Sequence, residues 1–199
     1  KTSFVAFVSE RASICYGRAV TTSGKPIVGR GSPKCSIVRS IAGRAASRLL
    51  STDLAWYSAG ALPGVQAITH NEYLTELMDT EGITTLRTHQ GVPGFYPTNV
   101  RLRSQLGSDY QFWQHGRVMD AATSTSYVAL LPFLSSSVRT VAGGKISPVD
   151  AGSWKAKVDD ALRTVLLDPD NEQGTQGHVS AIDADIDRNN NVLASGIVK

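Results

Sequence analysis

The chain is poor in the residues that most often betray a chemical function. It holds only two cysteines in 199 residues. Cys15 and Cys35 stand in unlike surroundings, so they make no disulfide framework and, with no His pair nearby, no zinc site. Both are expected as reduced thiols of an intracellular protein. The four histidines, His70, His89, His115 and His178, fall in four different stretches without metal-ligand spacing. No apolar run approaches the ~18 residues of a membrane span. The short run FVAFV at 4–8 is too brief for a secretory signal, so no membrane partner is expected. At 41% hydrophobic and 19% charged, the composition excludes a disordered chain, a coiled coil and a collagen-like repeat. Lys1 in place of Met and the strand-like ending ASGIVK lead us to expect a piece of a longer protein.

Catalytic and phosphate-binding motifs are missing too. Gly24-Lys25 is followed by Pro26, with Ala19 where a P-loop needs its first glycine, and Gly144-Lys145 is followed by Ile146. Ser58 sits in Trp56-Tyr57-Ser58-Ala59-Gly60, where bulky Trp56 occupies a position that a nucleophile elbow gives to glycine. Asp183, Asp185 and Asp187 match the first three ligands of a calcium loop. The sixth position is then Arg188 rather than glycine, and the twelfth is Ala194 rather than a bidentate glutamate. They read instead as the solvent face of a strand. The expectation is no catalytic residue, no metal, no cofactor and no small-molecule substrate: a protein that is not an enzyme.

What the sequence does have is segregated charge. The net charge of +3 hides a steep gradient, since residues 1–50 hold nine Lys/Arg and one acid, while 151–199 hold five bases and eight acids. A basic end implies an anionic partner: nucleic acid, another protein, or the acidic end of a second copy. A nucleic-acid-binding module using residues 1–50 is the alternative reading. Against it, that quarter lacks interleaved aromatics for stacking and any recognised nucleic-acid-binding signature.

Residues 1–35 read as loop with short strands. Ile37, Ile41, Ala45 and Leu49 recur at helical spacing, with Ser32 or Ser36 as cap and Arg39, Arg44 and Arg48 on the polar sides. The stretch 60–67, GALPGVQA, breaks regularity. Thr69 and Glu72 have capping-box spacing, with Ile68 and Tyr73 as a hydrophobic staple and Gly82 as terminator. Strands follow at 83–89 and 92–101. Ser108 and Gln111 open a helix to about Leu131, with Phe112, His115, Met119, Ala122, Ser126 and Ala129 inward and Arg117 paired with Asp120. Ser147 and Pro148 start another helix, whose apolar face is Trp154, Val158, Ala161, Leu162 and Val165. The tail alternates as a hairpin: Ile182, Ala184 and Ile186 on one face, a turn at RNNN, and a return strand at 192–198. The fold class is α+β, a mixed β-sheet flanked by helices with a C-terminal β-hairpin. Two parts are expected: a basic segment 1–70, in the same or an inserted domain, and an α+β domain at 71–199.

The order GVPGFYPTNVRL at 91–102, then GSDYQFWQHGRVMDAA at 107–122, resembles the tail sheath proteins of contractile bacteriophages of the Mu-like type. The matching residues are Gly94-Phe95-Tyr96, Ser108-Asp109-Tyr110, and Arg117-Val118-Met119-Asp120 with Ala122. DTEGITTLRT at 79–88 and GGKISPVDAGSW at 143–154 fall in the same order. This resemblance implies a virion protein, assembled in the bacterial cytoplasm, that stacks as rings or a helical tube around an inner tail tube. It implies contraction that drives the tube through the host envelope, and terminal arms that add strands to neighbouring sheets. The expected partners are further copies and the inner tube protein. The expected contact residues are Arg39, Arg44 and Arg48 on an acidic surface of the tube or of a neighbour, and Val192, Leu193, Ile197 and Val198 in an exchanged tail strand.

Overall fold

The structure is a computed structural model that describes residues 8–21, 34–69, 72–105, 107–134, 136–167, 178–189 and 191–196. The chain forms two compact units, Lys1–Arg117 and Val118–Lys199. Its class is α+β, and among the described residues no single large sheet forms. The described strands make four small sheets, one of them parallel and three antiparallel.

In the first unit, β1 (Ile14–Cys15) pairs in parallel with β5 (Ile83–Thr84). The central β2 (Arg18–Thr21) lies between β3 (Lys34–Ser36) and β4 (Val65–Ile68), antiparallel to both. β4 falls in the stretch expected to be irregular. β6 (Leu86–His89) and β7 (Val92–Pro97) form a hairpin turned at Gly91, where φ is +77°. The sheets pack on α1 (Ile37–Ala46), which starts where Ser36 Oγ accepts from Val38 N. Four-residue spacing sends Ile37, Ile41 and Ala45 inward, onto Ala19, Leu54, Leu62, Leu86 and Val100. A buried threonine pair finishes this core: Thr98 Oγ1 accepts from Thr85 N at 2.9 Å.

The expected capping box at 69–72 does not form. Thr69 Oγ1 donates to Arg18 O, and Glu72 Oε2 accepts from Thr88 N and Oγ1. Tyr73 is 93% exposed, so it makes no staple with Ile68. A 3₁₀ turn, Glu72–Leu74, leads into the short helix α2 (Thr75–Thr80), and Gly82 does terminate it at φ +68°.

Helix α3 (Trp113–Leu130) contains the boundary between the units. In the second unit it packs with α4 (Pro148–Leu162), capped by Ser147 Oγ with Pro148 at its first position as expected. Val158, Leu162 and Leu166 meet Val118, Ala121, Ala122, Ala129 and Leu130. The inner face of α3 is therefore turned from the expected one: Met119 and His115 are exposed, while Ala122 and Ala129 face the core. Val165 also points outward, because α4 continues into a π-helical turn, Arg163–Leu167, that brings Leu166 inward instead.

The tail corrects the expected C-terminal hairpin. Burial alternates over 182–187 as the pattern requires, with Ile182 and Ala184 against the core and the three aspartates outward. Yet the segment pairs with a helix rather than a strand: Asp159 Oδ1 accepts from Ala184 N at 3.0 Å, and Lys155 Nζ donates to Ala184 O and to Asp183 Oδ1. The return run is a short helix, α5 (Val192–Ser195), capped by Asn191 and closed by Gly196 at φ +65°. Its start docks on the hairpin of β8 (Thr140–Val141) and β9 (Lys145–Ile146), where Val192 N donates to Gly144 O. A Cβ on Gly144 would lie 2.3 Å from Asn191 Oδ1, so this approach requires glycine.

Asp150 clips the residue before this hairpin to α4. Its carboxylate accepts from Arg139 Nη2 at 2.6 Å, Nε at 3.0 Å and backbone N at 2.8 Å. The Arg139 side-chain and backbone bonds hold the Asp150 carboxyl below its ordinary value near 3.8. A carboxyl with a depressed folded pKa stabilises above its unfolded pKa and loses that stabilisation as pH falls through the folded value. Asp150→Asn is therefore expected to melt below the parent at pH 7. The gap in melting temperature should close as pH is lowered below 3.8; thermal denaturation at both pH values checks it.

Candidate interaction surfaces

Three arginines were expected on the exposed sides of α1, and the structure separates them. Arg44 is 5% exposed. It stands seven residues after Ile37, on the same stripe as Ile41 and Ala45, and so points into the fold. Its Nη1 donates to Leu54 O at 2.9 Å and its Nη2 to Gly60 O. Burial pushes this guanidinium below its ordinary pKa, with Arg48 adding to the effect and Tyr96 opposing it. Arg44 is thus a brace between α1 and the 54–60 loop, its guanidinium engaged by backbone carbonyls. Arg39 and Arg48 remain exposed: Arg39 Nη1 donates to Cys35 Sγ at 3.5 Å, and Arg48 Nη2 donates to Ala59 O at 2.9 Å.

The braced loop and α1 enclose an open groove. Arg39, Ser40, Gly43, Ser47 and Arg48 line one wall, and Ala59, Ala61 and Pro63 the other, with Cys35 at one end. The second wall rests on the β6–β7 hairpin. Leu62 N donates to Phe95 O at 2.8 Å, and a Cβ on Gly94 would meet Ala61 Cβ at 2.4 Å. Beside it, Tyr57 stacks on Tyr96 with centroids 5.4 Å apart, and His89 meets both rings edge-on. The Gly94-Phe95-Tyr96 triplet therefore has local work: Gly94 admits the loop, Phe95 packs on the core, and Tyr96 receives Tyr57. Sequence reasoning missed this aromatic group, although Trp56-Tyr57 beside Gly60 and Phe95-Tyr96 beside Gly94 were visible signs of two pieces meeting.

Arg117 does not serve primarily as an ion-pair partner on its own helix. Its guanidinium donates to Leu49 O at 3.3 Å and Arg48 O at 3.2 Å, bracing the turn after α1. Burial lowers its pKa as well. Ser108 Oγ accepts from Tyr110 N, and His115 Nδ1 lies 2.7 Å from Asp109 O. These bonds shape the lead-in to α3.

At the other end, Val192 and Leu193 lie in α5, not in a strand. Leu193 is 73% exposed, while its partner Val192 is partly covered. Ile197 and Val198 lie outside the described residues, as does His70. The acidic row remains outward. Lys155 holds Asp183 at 2.5 Å, and this contact raises the Lys155 pKa and lowers that of Asp183. Both cysteines are free thiols. Burial raises the Cys15 pKa and so keeps it protonated at neutral pH. Among the described residues, no group of three or more His, Cys, Asp or Glu is placed to hold a metal, and no helix is long and apolar enough to cross a membrane.

Known structures share the fold. The contracted helical sheath of the anti-feeding prophage matches with a TM-score of 0.62 and 16% identity, over 84% of this chain and 45% of that one. The 6-fold symmetrised baseplate of the anti-feeding prophage matches with a TM-score of 0.60 and 16% identity, over 83% of this chain and 42% of that one. The chain therefore spans less than half the length of either. No family model and no curated protein matches the sequence.

Two substitutions test the brace. Arg44→Met keeps the bulk but leaves the Leu54 and Gly60 carbonyls without their donor, for an expected loss of about 2–3 kcal/mol in chemical denaturation. Gly94→Ala introduces a Cβ at φ +101° against Ala61. It is expected to lower the melting temperature, measured by circular dichroism.

Proposed function

We propose that this chain is part of a structural subunit of a contractile tail-like sheath, acting by contact with further copies and with an inner tube rather than by catalysis. The observation that carries the reading is the fold likeness to the contracted sheath of the anti-feeding prophage over most of this chain. The sequence resemblance at 91–102 and 107–122 supports it independently, since it was read from order and spacing rather than from the fold. Segregated charge supports it in physical terms. The first unit carries thirteen Lys/Arg and seven Asp/Glu, the second seven and ten. A subunit with opposite charge at two places favours heterologous contacts, and heterologous contacts that do not close produce tubes.

In this reading the molecule is a virion tail component assembled in the bacterial cytoplasm, and its shortening drives the tube through a host envelope. Arg39 and Arg48 face the tube or a neighbouring subunit. The 192–198 tail meets another copy through Leu193 and the residues after it, including Ile197 and Val198. Negative-stain microscopy of the purified protein is expected to show rings or tubes. Removing 192–199 is expected to leave the melting temperature within a few degrees of the parent and to abolish those particles. Unchanged particles after truncation would exclude the tail contact, and a purely monomeric parent would exclude the self-assembly reading.

A further inference from the structure

Gly43 is out of place in α1. Glycine is the least favourable residue other than proline in a helix interior. Nothing among the described residues explains it, because a Cβ built there meets none of their atoms within 4 Å. It faces the groove, between exposed Arg39 and Arg48. Glycine without an internal reason is what a close approach by another backbone requires. Arg39 lies in α1 and Arg48 two residues past its end at Ala46, and both line the groove.

The second unit presents a segment of opposite charge. Over 182–187 the apolar residues are packed inward and the aspartates point outward. Lys155 and Asp159 hold the backbone of Ala184, so the row is presented on a fixed extended segment. Asp183 is engaged with Lys155, which leaves Asp185 and Asp187 as the outward charges, their carboxylates accepting only from the neighbouring backbone of Ile186 and Asn189 among the described bonds.

We propose that the α1 groove of one copy receives the 183–187 segment of a second copy, with Arg39 and Arg48 facing Asp185 and Asp187 and the segment's backbone passing over Gly43. This rests on the self-assembly reading and names the surfaces that carry it. The contact is head-to-tail: each copy uses its groove toward one neighbour and its acidic row toward the next, so the chain of contacts stays open.

The test uses two variants of the whole chain in sedimentation velocity at low ionic strength. Arg39→Glu/Arg48→Glu blocks the groove and leaves the row intact; Asp185→Lys/Asp187→Lys blocks the row and leaves the groove intact. The parent is expected to form oligomers that grow with concentration, and each variant alone to stay monomeric. An equal mixture of the two is expected to recover oligomers that grow with concentration, because the intact row meets the intact groove and the reversed, basic row meets the reversed, acidic groove. Oligomers from either variant alone, or a mixture that stays monomeric, would overturn the docking while leaving self-assembly by other surfaces. A parent that is monomeric throughout would overturn the self-assembly reading itself. Circular dichroism melts confirm folding. Should a charge reversal unfold the chain, Arg39→Gln/Arg48→Gln and Asp185→Asn/Asp187→Asn replace them, with an expected loss of about tenfold in association constant for each alone. No loss in either neutral pair would overturn the docking.

Discussion

The groove depends on a buried cation whose hydrogen bonds are taken up by backbone carbonyls. Arg44 leaves water on the apolar face of α1 and recovers its hydrogen bonds from two loop carbonyls. A buried guanidinium is tolerated only where its donors are matched, and its fixed planar fork makes that matching directional. The geometry therefore runs one way: α1 fixes Arg44, Arg44 fixes the 54–60 loop, and the loop becomes the second wall. Tyr57 on Tyr96 ties the same loop to the β6–β7 hairpin, and Gly94 lets the two backbones close. Arg117 repeats the device one turn along, holding the carbonyls of Arg48 and Leu49.

This distinction sorts the arginines of α1 and of the turn after it by role. Arg39 and Arg48 keep their charge at the surface, where desolvation costs little and a partner's carboxylate is felt through solvent. Arg44 has spent its donors inside. A reading that treats all three as a basic stripe overstates the charge available to any anion, nucleic acid included, and assigns to recognition a residue that builds the surface on which recognition takes place.

Much of the fold was legible where local signals agree. Ser36 with Ile37, Ile41 and Ala45, and Ser147 with Pro148, combine a cap with a helical period, and both helices begin where those residues predict. Legibility failed where signals were ambiguous or overlooked. Apolar and small residues occur on both sides of α3, so the 112–129 stripe and the true one, through Val118 and Ala121, overlap at Ala122 and Ala129 and cannot be told apart by period alone. Asn191 before and Gly196 after a four-residue run are helix boundary signals, and they outweigh the β-branched Val192 because Gly144 O takes the first backbone donor. Arg44 was legible in principle, since its place seven residues after Ile37 is a core position. The pairing of Tyr57 with Tyr96 was not, because it joins residues 39 apart whose meeting depends on the loop that Arg44 holds.

The tail shows that an alternating pattern fixes which side chains face the core but not what the backbone pairs with. Residues 182–187 keep the period of two because apolar burial enforces it. Their neighbour is a helix, which has no free row of donors and acceptors along its side, so no ladder is available. Side chains supply the missing partners instead: Asp159 accepts from Ala184 N and Lys155 donates to Ala184 O. A segment held in this way keeps its charges directed outward, with no second strand beside it among the described residues. That makes it a different object from a hairpin arm. An arm that exchanges strands must first unpair, whereas this row is already shaped, and in the proposed docking it would ask of a second copy only a trough with positive charge along its wall and room for a main chain at its floor.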